Sequence, residues 1–383
     1  MEDYDIDSRN SIGDTPLAWA AGNGHEDVVE ILLGRDDIDP DKPGEDHQTP
    51  LCLAACNGHE GVVKILLGRD DVDPGKPGGY GQTPLLQAAD NGHEGIVKML
   101  LVRDDIDPDK PGEDDQTPLC FAARNGHEGV VKVLLGRDDV NPDKPGEDGE
   151  TPLSQAAYTG HERIVKMLLG RDDIGPDKPN GRGQTPLCQA ASNGQEGVVK
   201  ILLGRDDVDP GKPGEYGQTP LLQAAWNGHE GIVKMLLQRD DVSPDKPEEG
   251  GRTPLFYAVC YGYGRIVKML LERDEVDPDK PDRYGQTPLW YASYHGHKGI
   301  VKMLLQRDDV SPDEPDERGQ TPLWWAAYLG HKEIVKILLE REDVNPNKPD
   351  NQGQVPLWCA TKNGHAGVIA LLQRPTSATH HTA

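Results

Sequence analysis

The sequence predicts an all-α repeat solenoid, and three observations predict it. Thr-Pro-Leu begins at Thr15 and returns every 34 residues as far as Thr321, and Val355-Pro356-Leu357 makes an eleventh cycle. Each cycle carries two short apolar stretches at helical spacing. Between one cycle and the next runs an acidic loop with two prolines, which suits a continuous strand poorly. A fixed period of this size means stacked supersecondary units in place of one globular core.

Repeat seven shows how one unit is built. Thr219-Pro220 is a helix start: the Thr side chain can cap free N–H groups, and Pro fits the first helical position, where its missing N–H had no partner anyway. Leu221, Ala224 and Ala225 lie at i, i+3 and i+4 and share one face. Gly228 ends the helix. A second helix follows near Glu230 to Arg239, with acid in its first turn and base in its last, as the helix dipole favours. Its apolar face is Ile232, Val233, Leu236 and Leu237. The loop Asp240 to Gly251 closes the unit, and Pro244 and Pro247 stiffen it.

The pattern T-P-L-x-x-A-A-x-x-G-H-x-x-[IV]-V-K-x-L-L resembles the ankyrin repeat over residues 12 to 374, nearly the whole chain. Its spelling is most similar to arrays in filamentous-fungal protein families. The Trp…Leu-Gly…Tyr pattern of the other common 34-residue repeat is absent. The resemblance implies about eleven helix-turn-helix units with extended finger loops. Two departures matter. The loop is two residues longer than the family's and the segment after the second helix one shorter, so the finger hairpin is expected to be remodelled or irregular. The slot after Thr-Pro-Leu, usually His in the family, reads Ala18, Cys52, Leu86, Cys120, Ser154, Cys188, Leu222, Phe256, Trp290, Trp324 and Trp358. The inter-repeat hydrogen bond of that His must be lost or replaced.

Along the chain, residues 1–12 read as a truncated acidic lead-in, 13–374 as one solenoid, and 375–383 as a disordered tail. Repeats two to seven alternate, Cys52, Cys120 and Cys188 going with Val-Val and the repeats between with Ile-Val. That period of two units records duplication. Gln373 replaces an apolar residue on the last helix and reads as a C-terminal cap.

The formal charge is −26, a little over two negative charges per repeat. Acid concentrates in the loops, as at Asp104, Asp105, Asp107 and Asp109. Such an edge keeps a long array soluble, repels nucleic acid and anionic membranes, and favours a basic partner. The six cysteines form no C-x-x-C and no disulfide framework, and a reducing compartment fits: the cytoplasm, with the nucleus also open. No segment is apolar enough to serve as a signal peptide or to cross a membrane.

Catalytic, cofactor and metal sites are not expected. His93-Glu94 resembles half a zinc-protease motif, but Val97 stands where the second His would be, and Gln195 and Tyr263 take the His slot in two repeats. The His reads as structural. Asp105, Asp107 and Asp109 alternate like a calcium loop, but Lys110 replaces the needed Gly and Gln116 the final Glu.

Function is therefore expected in what varies between repeats. The Trp226 slot is the most varied helical position, reading Gly22, Cys56, Asp90, Arg124, Tyr158 and Ser192 before it and Cys260, Tyr294, Tyr328 and Lys362 after. Twelve of nineteen aromatics lie beyond residue 248, which places any hot spot in the later repeats. The expected partner-binding residues are Trp226, Tyr257, Tyr261, Tyr291, Tyr294, Trp325 and Tyr328. In ankyrin proteins their face lines the concave groove, so the resemblance implies a protein-binding scaffold. Trp290 and Trp324 are expected to pack between repeats in the former His slot. The second functional reading is a sensor array serving a larger signalling protein.

Overall fold

The computed structural model describes residues 7–374, apart from 12 and 147. The expected tail, 375–383, lies outside the described residues. Twenty-two α-helices of seven or eight residues pair along the chain, and the described residues contain no strand. They fall into two compact units, one ending at Asp209 and one beginning at Pro210. The first holds six helix pairs, from Pro16–Gly22 to Glu196–Leu203, and the second five, from Pro220–Asn227 to Ala366–Leu372.

Each first helix begins as its sequence dictates. In ten repeats the Thr Oγ accepts from the backbone N–H three residues on, at 3.1–3.3 Å. Val355 offers no such cap. In repeats two to ten the Leu-x-x-Ala-Ala positions of the first helix (Val259 and Ser293 replacing the second Ala in repeats eight and nine) and the Val/Ile pair and following Leu of the second are buried. In the end repeats, by contrast, Val28 is 44% exposed and Leu357 and Leu372 are only half-buried. In repeat seven the second helix is Glu230–Leu237, two residues shorter than expected. Arg239 lies beyond it because its guanidinium forks onto Asp241, donating at 3.0 and 2.7 Å. Lys234 is the base in the last turn.

Side chains of a later repeat reach back to backbone carbonyls of the one before. His161 Nε2 lies 3.0 Å from Arg124 O. A carbonyl can only accept, so Nε2 carries the proton. Gln195 Nε2 makes the equivalent bond to Tyr158 O at 3.2 Å, which is why Gln can take this slot. Arg171 Nη1 donates to Leu135 O at 3.0 Å, and Lys178 Nζ to Asp143 O at 2.7 Å. The former family His slot has its own replacements. Trp324 Nε1 donates to Gln354 O at 3.2 Å, and the Cys52 thiol lies 3.6 Å from Gln82 O.

The finger loops are chains of turns. Gly78 N–H closes onto Gln82 O at 2.9 Å, and Glu113 N–H reaches Tyr80 O of the preceding tip at 3.2 Å. Asp105 is forked by Arg103, and Asp107 accepts from Asp109 N–H, so both carboxylates serve the loop itself. The Asp of Pro-Asp-Lys docks inward: Asp109 Oδ2 accepts from Asn141 N–H at 2.7 Å while Oδ1 is buried without a partner. Asp7, one period before Asp41, takes the same position and accepts from Asp39 N–H at 3.1 Å.

Burial pushes the carboxyl pKa up at Asp41, Asp109, Asp245, Asp279 and Asp313. Each of these groups holds its proton more tightly folded than unfolded. The stability it contributes is full below the ordinary value of 3.8 and is lost as pH rises through the folded value. Asp109→Asn is therefore expected to match the natural chain at roughly pH 3.5 and to exceed it at roughly pH 6.5, read as urea midpoints. A variant weaker than the natural chain at the higher pH would contradict this.

Candidate functional site

In the second unit, first-helix aromatics of repeats seven to ten touch ring to ring without a break. Trp226 stacks on Tyr257 at 4.5 Å. Tyr257 meets Phe256 at 5.7 Å, and Phe256 meets Tyr291 edge-on at 4.4 Å. Tyr291 meets Trp290 at 4.9 Å. Trp290 stacks on Tyr294 at 5.3 Å, and Trp325 stands edge-on to both, at 5.3 and 4.9 Å. Trp324 stacks on Tyr328 at 5.2 Å, with Trp325 beside them. Such pairs add to area burial and hold one another's orientation.

The file has a buried side and an open side. Phe256, Trp290 and Trp324, from the former His slot, are buried between repeats, as their position predicts. Trp226, Tyr291, Tyr294, Trp325 and Tyr328 are half-buried and present ring surface outward. Tyr257 departs from the expected ladder: only 6% of it is exposed, because Trp226 covers one face and Phe256 its edge. It supports neighbouring rings and presents little surface of its own. Tyr261 is exposed, but among the described residues its one ring neighbour is Tyr263, so it stands apart from the file.

Between repeats nine and ten the file borders a groove of about 700 Å3. Trp290, Tyr291, Tyr294 and Trp325 form one wall, and Asp316, Glu317 and Arg318 of a finger loop form another. Tyr291 OH donates to Gln286 Oε1 at 2.6 Å. Burial pushes the Tyr291 pKa up to about 12, with the Asp282 and Cys260 charges adding, so the hydroxyl stays a neutral donor. In repeat ten Trp replaces Tyr and the matching bond fails: Gln320 Oε1 and Trp325 Nε1 are both buried without partners.

The residue before Thr, which the sequence alone did not single out, sets further local differences. It is Gln in most repeats, Asp14 in repeat one, Glu150 in repeat five and Arg252 in repeat eight. In the first unit Glu150 takes hydrogen bonds from Ser154 Oγ at 2.7 Å, Asn180 Nδ2 at 2.7 Å and Gln189 Nε2 at 2.8 Å. Glu150, Asn180 and Gln189 line a separate polar cleft of about 600 Å3 with Gln116, whose Oε1 is buried and unpartnered. Aligning the repeats on that slot would have marked all three exceptions.

All six cysteines are free. Burial raises the Cys52 thiol to about 11 and the Cys260 thiol to about 12, which suits packing and not nucleophilic chemistry. Among the described residues no helix is long and apolar enough to cross a membrane. A family model described as ankyrin repeats, in three copies, matches residues 1–78, 37–111, 85–178, 171–247, 240–316 and 309–381. A comparison with curated proteins returns no match.

Proposed function

The chain belongs to the ankyrin-repeat family, and from that premise we propose that it binds a protein partner on the aromatic first-helix face of repeats seven to ten. Ankyrin repeats are in general protein-interaction modules, and nothing but ankyrin repeats is matched along this chain. One observation carries the assignment to this face. Five half-buried aromatics from repeats seven, nine and ten share one supported surface beside a groove of about 700 Å3. Rigid aromatic surface held by a packed layer beneath it is what binding hot spots use, because little side-chain entropy is lost on contact. The acidic loops favour a basic partner and speed its approach at low salt. A reducing compartment, cytoplasm or nucleus, suits the six free thiols.

The test is affinity capture from lysate with the whole chain as bait, beside a variant with Tyr291, Tyr294, Trp325 and Tyr328 changed to Ser. Circular dichroism first establishes that the variant keeps its helices. The expected result is a protein held by the natural chain and lost by the folded variant. Equal capture by both baits would remove this face from consideration.

A further inference from the structure

Repeat eight carries a guanidinium built into its own aromatic file. Arg252 takes the slot before Thr253 where most repeats have Gln. Its guanidinium carbon is 5.4 Å from the Phe256 ring centroid, and its Nε is 3.8 Å from Oδ2 of Asp282, a fully buried side chain. One period later the aromatic and the acid recur as Trp290 and Asp316, while the arginine becomes Gln286. The open groove lies there.

That groove presents the same kinds of group that surround Arg252 in repeat eight, where Arg252 Nε and Asp282 Oδ2 form an ion pair without a hydrogen bond. Trp290 and Tyr294 are parallel to within 7°, and Trp325 stands at 65° and 69° to them, so ring faces meet at a corner. Asp316 is 7% exposed, and its Oδ1 accepts from Arg318 and Gln320 N–H. Asp282 has Arg252 beside it, whereas Asp316 forms no ion pair among the described residues. Gln320 Oε1 is a buried acceptor without a donor. Glu317 is exposed on the rim.

A flat cation with N–H groups around its edge fits this set. A guanidinium stacks on aromatic faces while its edge bonds carboxylate and amide oxygens. A lysine ammonium has no plane to stack, and a quaternary ammonium has no N–H for Gln320. The indole N–H groups of Trp290 and Trp325 are buried without partners in the groove wall, where they report on what enters it. We propose that the groove between repeats nine and ten takes an arginine side chain of the partner protein, supplying from outside the guanidinium that Arg252 supplies one repeat earlier. The assignment rests on the partner-binding reading above and names the residue that enters the groove. Arg318 on the rim is a competing cation.

The probe is a capped Gly-Gly-Arg-Gly-Gly peptide titrated into the whole chain at low salt, with lysine and citrulline counterparts. The signals followed are the indole N–H resonances of Trp290 and Trp325. The arginine peptide is expected to shift both. Citrulline, which keeps the plane and loses the charge, should bind about tenfold more weakly, and lysine should fall between. Gln286→Arg should block the arginine peptide by filling the groove as repeat eight fills its own. Glu317→Gln, at an exposed side chain with no packing to lose, should weaken binding about threefold, and Arg318→Ala should tighten it. Equal affinity for arginine and citrulline peptides would overturn the assignment. So would unchanged binding in both Gln286→Arg and Glu317→Gln. If capture identifies a partner lost by the Ser variant while no peptide moves either indole signal, the partner surface stands and the arginine assignment falls.

Discussion

Trp290→Ala is expected to destabilise the unit beginning at Pro210 by about 3–5 kcal/mol. The side chain is 4% exposed and touches the rings of Tyr291, Tyr294 and Trp325 at 4.9, 5.3 and 5.3 Å. Deleting the indole removes buried area, opens a cavity and strips three rings of a neighbour. Trp358 occupies the same slot two repeats later but is 41% exposed, because among the described residues no further repeat covers it. Its replacement by Ala should therefore cost under about 1 kcal/mol. Urea titration of both variants against the natural chain decides the matter. Equal losses would mean that the slot contributes through its own helix alone. Trp290→Ala should also collapse the groove, so lost partner binding in that variant reports the support beneath the surface and not the surface itself.

Gly126→Ala is expected to cost about 2–4 kcal/mol, an unusual loss for one added methyl group. Gly126 has φ +82°, where a side chain is strained by roughly 1–2 kcal/mol. A Cβ there would also lie 2.6 Å from Cε1 of His161, the ring whose Nε2–H bonds Arg124 O. Gly364 has φ +75° and nothing within 4 Å of the added carbon, so Gly364→Ala should show the strain alone. His161→Ala isolates the hydrogen bond. If the two effects share one cause, His161→Ala costs less in the Gly126→Ala background than alone. Full additivity across that cycle would show that the ring relaxes without losing its bond.

The helices were legible because their signals are local. Thr-Pro starts a helix whatever lies beside it, and a Gly at a left-handed position stops one. The His in Gly-His was legible as structural because Gln195 replaces it, and a neutral donor is all the bond needs. What stayed hidden depends on the neighbouring repeat. Tyr257 and Tyr291 occupy the same place on their helices, yet Trp226 covers one and the other lines a groove. Helical periodicity tells which face a residue is on, not what the next repeat lays across it. Glu150 and Arg252 were visible as exceptions in one column of the period. Their meaning came only when the finger loops placed Asn180 and Asp282 against them.

One set of the bonds between repeats has a direction, although Asp109 and Trp324 reach forward to the repeat that follows. In the first unit the donors His161, Arg171 and Lys178 are flexible side chains of the later repeat, and their acceptors at Arg124, Leu135 and Asp143 are backbone carbonyls of the earlier one. A folded repeat thus presents a fixed template, and the repeat that follows brings the adjustable parts. Synthesis on the ribosome delivers the chain in the same order, template first. Each newly emerged unit meets a finished end onto which it can zip, much as a filament grows from one tip. A full-length chain refolding from denaturant can nucleate anywhere along its repeats and has no such tip to follow.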